Sequence, residues 1–119
     1  MKIYRYHYEA SNMYEASGFL TRINEMLDDA TDTEWSDLFS LISIFGDKLI
    51  APDSKIYQDN PSARSWFTEK GNRKFRKAIS EIRRYMSDEY GYTLITETKE
   101  ISSDDPGIIY SDSLQIVLK

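Results

Sequence analysis

The chain opens on strict alternation. In residues 2–9, KIYRYHYE, tyrosine stands at every second position, Tyr4, Tyr6 and Tyr8. A strand turns alternate side chains to one face, so the three tyrosines share a side and Ile3, Arg5 and His7 take the other. The tyrosine side is the more apolar and is expected to wall the core, with the hydroxyls reaching its edge for partners. The competing use is a bare aromatic platform for stacked bases.

The period then changes to that of a helix. Ser11 or Asn12 can cap a segment carrying Met13, Ala16, Leu20, Ile23 and Leu27 at three- and four-residue spacing, with Gly18 marking a later start. Thr31 and Glu34 have capping-box spacing ahead of Trp35, Leu38, Phe39, Leu41, Ile42 and Phe45, and Gly46 is placed to end this helix. So wide an apolar face predicts a helix central to the core. Residues 47–60 are irregular, with KLIAP a short extended piece ended by Pro52. Asn60-Pro61 has the form of a cap followed by proline at the first helical position, which predicts a short helix through Phe67. Thr68 caps the next helix, which runs to about Glu89 with Gly91 beyond its end. Its stripe is Phe75, Ala78, Ile79, Ile82 and Met86.

Residues 92–101, YTLITETKEI, are rich in β-branched and aromatic types and read as a strand. Asp105 to Ile108, DPGI, places proline and glycine for a type II turn. Residues 108–118 end in the alternation Leu114, Ile116, Leu118; Asp112 interrupts the parity, so a bulge or break is expected near 111–113. The elements give an α+β fold: a three-stranded antiparallel sheet, made of the N-terminal strand and a C-terminal hairpin, packed on one face by three to four helices. Residues 1–119 are expected to form one domain.

Composition narrows the chemistry. The chain has no cysteine, which excludes disulfides, thiolate zinc sites and cysteine nucleophiles. No apolar run reaches the ~20 residues of a membrane span, and the N-terminus lacks the apolar region of a signal peptide. A cytoplasmic protein without membrane contact is the expectation. Net charge is −5, unevenly spread: residues 64–84 hold eight basic and two acidic groups (+6), the remainder seven basic and eighteen acidic (−11). An acidic body favours basic protein surfaces and repels nucleic acid; the basic segment does the opposite.

Candidate sites are judged against plainer roles. His7 is the only histidine, and no pattern supplies the nucleophile and orienting carboxylate that a general base requires. The acidic run Asp28, Asp29, Asp32, Glu34 and Asp37 lacks the glycine and ligand spacing of a calcium loop. It suits a solvated interhelix loop, or a carboxylate patch that imitates phosphates on a basic protein groove. At 100° per residue, Lys70, Arg73, Lys77 and Arg84 fall within ~40° of the side opposite the apolar stripe of 69–89. Four cations on a solvent face suit phosphate tracking or an acidic partner, as well as simple solvation. No catalytic, cofactor or metal motif is found, so a non-enzymatic role without cofactor or metal is expected.

A small acidic chain without cysteine, rich in tyrosine and bare of enzyme motifs, resembles the counter-defence proteins of phages and mobile elements, particularly the anti-CRISPR proteins that inhibit Cas nucleases. The resemblance is one of overall character and covers the whole chain without a motif, so no residue role is carried over. It implies stoichiometric inhibition by blocking nucleic-acid binding or activity of a Cas nuclease or its guide complex. The clustered positive charge departs from a purely DNA-mimicking surface. The function expected is therefore a protein-binding inhibitor, with contacts among Asp28, Asp29, Asp32, Glu34, Asp37, Lys70, Arg73, Lys77 and Arg84. The alternative is a nucleic-acid-binding accessory protein using the basic face of helix 69–89.

Overall fold

β1 (Lys2–Glu9) organises the sheet: its even residues turn Tyr6 and Tyr8 into one core while Ile3 is buried on the opposite face. The computed structural model describes residues 1–9, 19–46 and 48–119. The class is α+β, but the antiparallel sheet has five strands where three were expected. Besides β1 these are β2 (Arg64–Phe67), β3 (Thr93–Glu100), β4 (Ile108–Ser111) and β5 (Gln115–Leu118), in the order β3-β1-β2-β5-β4. The helices are α1 (Phe19–Leu27), α2 (Asp32–Gly46), α3 (Ser54–Asp59), α4 (Glu69–Lys74) and α5 (Arg76–Tyr90).

The two added strands correct the expected topology. Residues 64–67 were expected to be helical and are β2, between β1 and β5. Asn60 does not open a helix; it closes α3, its backbone N–H donating to Ile56 O at 3.0 Å. In β2 the neighbours Trp66 and Phe67 enter different cores, so four residues carry no one-sided pattern. The expected hairpin between 92–101 and 108–118 does not form either. β3 pairs along β1 from Lys2↔Glu100 to Glu9↔Thr93, and the last stretch folds on itself as the β4–β5 hairpin about residues 112–114. The break expected near 111–113 is thus a turn. The Asp105–Ile108 turn closes through Ile108 N–H to Asp105 O (3.1 Å). It is not type II, because Gly91 is the only described glycine at positive φ.

The helices pack on one sheet face. That core joins Tyr6, Phe19, Leu38, Phe45, Phe67 and Phe75, with Ile79, Ile82 and Met86 from α5. The other face holds a smaller cluster, Ile3, Trp66, Ile101, Ile116 and Leu118, to which no helix contributes a residue among the described residues. Residues Ser11, Asn12, Met13, Ala16 and Gly18 lie outside the described residues. Among the described residues no helix is long and apolar enough to cross a membrane.

Candidate protein-binding face

α2 begins as its sequence suggests: Glu34 N–H donates to the Thr31 hydroxyl at 3.3 Å. Its apolar residues cover an arc of roughly 220° at 100° per residue, more than one neighbouring layer can bury. Leu38 and Phe45 point at the sheet and are 0% and 3% exposed. Trp35 and Phe39 lie about 60–120° further round and remain 45% and 47% exposed. α2 is therefore not wholly core-facing, contrary to expectation. The two rings stack at 4.8 Å between centroids with planes 7° apart. Counting from Trp35, Phe39, Ile42 and Gly46 all fall within about 40°, so the stack heads one continuous stripe. Burying two such side chains would contribute about 1.5–3 kcal/mol each, and folding alone leaves much of that unrealised.

The acidic residues divide around this stripe. Asp32 is exposed one turn before Trp35 on the same side, about 60° round. Asp28 and Asp29 are exposed in the turn between α1 and α2. Glu34 and Asp37 turn away, toward α5: the Tyr90 hydroxyl donates to Glu34 Oε2 (3.5 Å) and the Tyr85 hydroxyl to Asp37 Oδ2 (3.4 Å). Burial, reinforced by Tyr90 and the Asp37 charge, pushes the Tyr85 phenol up to about 12. Burial and the Glu34 charge raise Tyr90 as well. From Glu25 to Asp47 the sequence has seven acidic residues and no basic one. An exposed aromatic pair thus sits in a strongly negative stretch, a combination that suits a basic partner.

The cations are elsewhere. The single helix expected over 69–89 is two, divided at Phe75, whose backbone leaves helical geometry (φ −101°, ψ 11°). Lys70 and Arg73 lie on α4, Lys77 and Arg84 on α5, and all four are exposed. The row survives the break, because Phe75 N–H still reaches Gly71 O (3.0 Å) and Ile79 N–H reaches Phe75 O (2.9 Å). His7 and Arg5 approach one carboxylate on β3, with Nε2 and Nη1 at 3.9 and 4.0 Å from Glu97 Oε2. Among the described residues no group of three or more His, Asp or Glu side chains is placed to hold a metal ion.

No protein-family model, curated protein or solved structure matches this chain.

The acidic run was readable from the sequence as a candidate contact, but the exposed aromatic pair beside it was not. Trp35 and Phe39 belong to the apolar periodicity of α2 and were expected in the core. The signal that separates them is arc width: a stripe of 35, 38, 39, 41, 42, 44 and 45 is too broad for one buried face, so some members must be left outside.

Proposed function

We propose that the chain is a non-enzymatic, protein-binding inhibitor whose α2 face docks on a basic surface of its target. The observation that carries this reading is the half-exposed Trp35–Phe39 stack set in a stretch with acidic residues and no basic ones. Aromatic anchors in a desolvated centre supply most interface energy, and surrounding charges set partner choice and encounter rate. Asp28, Asp29 and Asp32 supply the charged flank, while Glu34 and Asp37 hold α2 to α5. The resemblance to counter-defence proteins makes the nucleic-acid groove of a Cas nuclease the target of first choice, since such a groove is basic.

The test is titration of purified, guide-loaded Cas nucleases, with complex formation and DNA cleavage measured together. A one-to-one complex that suppresses cleavage is expected. Trp35→Ala with Phe39→Ala should weaken it at least tenfold without lowering the melting temperature. Equal binding by the double variant would remove α2 from the interface, and no complex with any such nuclease would remove this target class. The exposed row Lys70, Arg73, Lys77 and Arg84 supports a second reading, a nucleic-acid-binding accessory protein.

A further inference from the structure

A cavity of about 630 Å³ opens between the sheet and its helices. Its floor is Tyr6, Phe67 and Gln115; α1 and α2 wall it with Phe19, Ile42 and Phe45, and the 49–52 connection and Tyr57 close the remaining side. It is open to solvent on one side, and its ring-lined walls leave transfer energy unrealised until something covers them. We infer that this cavity binds a small, uncharged, ring-bearing molecule with one polar group. Its volume lies within the range of small-molecule pockets, about 300–1,000 Å³, and apolar walls with a few grouped polar atoms are their usual make-up.

The polar atoms lie along one edge. Ser65 Oγ donates to Gln115 Oε1 at 3.0 Å, and Gln115 Nε2 donates to Ile50 O. Gln115 is only 3% exposed, so its hydrogen bonds are held in fixed directions. The Tyr57 hydroxyl completes the edge; burial raises its pKa, against the pull of Ser65, so it stays a neutral donor. The ligand must itself be neutral, because among the described residues the cavity offers no counter-charge. Arg5, the one charged residue among the described residues of its wall, pairs with Glu97, and strand alternation sends its side chain to the other sheet face. A buried ligand charge would stay unpaired and heavily penalised.

Two dyes that share a ring system and differ by one charge test this. N-phenyl-1-naphthylamine is uncharged; 1-anilinonaphthalene-8-sulfonate carries a sulfonate. The first should bind saturably, one per chain, quenching Trp66 by energy transfer in a Trp35→Phe background; the second should bind at least tenfold more weakly. Ala51 and Gly46 are exposed residues on the cavity wall, and nothing lies within 4 Å of a Cβ built at Gly46. Ala51→Phe and Gly46→Leu should each fill the mouth and weaken the neutral dye at least tenfold at an unchanged melting temperature. Trp35→Ala with Phe39→Ala should leave that binding intact. No saturable binding would mean that the chain's own side chains fill the space. Loss that follows Trp35 and Phe39 rather than Ala51 and Gly46 would place the dye on the α2 surface. Equal affinity for both dyes would refute the requirement for neutrality. Any of these results overturns the inference.

Discussion

Asp112 is the one polar break in the apolar alternation of the C-terminal stretch, and the hairpin turn is built on it. Its Oδ1 accepts from the backbone N–H of Leu114 (2.8 Å) and Gln115 (2.9 Å), its Oδ2 accepts from the Tyr110 hydroxyl (2.7 Å), and its own N–H donates to Gln115 O (2.9 Å). Burial works to raise the pKa of this carboxyl; the hydrogen bonds from Tyr110, Leu114 and Gln115 together outweigh it and hold the value below the ordinary one. A depressed folded-state pKa stabilises the fold above the unfolded-state value, and that contribution is lost as pH falls through the folded one. Asp112→Ala should therefore cost about 1–3 kcal/mol at neutral pH, as lost charge-assisted hydrogen bonds do. The gap in melting temperature between variant and wild type should narrow from about pH 7 to about pH 2. A gap independent of pH would show that the carboxylate charge adds nothing to the turn. The sequence marked the position, since a lone aspartate within an alternating run has to end or bend it. It did not distinguish a bulge from a reversal, because both satisfy the same local pattern.

The elements read best from the sequence are those with several turns or many alternations. α5 buries Ala78, Ile79, Ile82 and Met86 as its stripe requires, and Gly91 ends it at φ 69°. β1 offers eight alternating residues and β2 only four, with adjacent Trp66 and Phe67 serving opposite faces. β2 exists because its neighbours β1 and β5 supply the ladder, a tertiary fact that local periodicity does not carry. The start of α4 shows how closely elements meet. The Thr68 hydroxyl accepts from Gly71 N–H (3.1 Å) and donates to Ser113 O (2.7 Å), while Thr68 N–H donates to Leu114 O (3.0 Å). A Cβ at Gly71 would stand 2.1 Å from Leu114 O, and that obstacle is backbone. Alanine in a helix gains about 0.5–1 kcal/mol over glycine, but overpacking costs about 1–3 kcal/mol, so the clash should win. Gly71→Ala is expected to lower the melting temperature by several degrees. Gly46→Ala, with open space around it, should leave it unchanged or raise it. Equal shifts in thermal melts of the two variants would contradict the contact between α4 and the 113–114 backbone.

Along the chain the charge is segregated, +6 over residues 64–84 against −11 elsewhere, and segregation separates the two functional readings. Exposed ion pairs contribute only about 0–1 kcal/mol, so folding gives little reason to keep Lys70, Arg73, Lys77 and Arg84 apart from the acids of 28–37. Partner choice gives a better one, but the two surfaces select opposite partners. If the row tracked phosphates, four neutralised contacts would give a slope of log affinity against log salt of about −3 to −4. Against this stand the net charge of −5 and a remainder at −11, which repel a polyanion approaching from any other side. Docking through α2 predicts no measurable binding of a labelled 20-base-pair DNA duplex at physiological salt. It also predicts that Lys70, Arg73, Lys77 and Arg84 can all be changed to Glu without slowing association with a basic partner. Because the four side chains are exposed, that variant should melt within a few degrees of wild type, as surface substitutions usually do. Fluorescence anisotropy across a salt series decides the matter. A slope near −3 to −4 that disappears in the quadruple variant would move the contact from the Trp35–Phe39 face to the α4–α5 row, and the accessory-protein reading would replace the inhibitor.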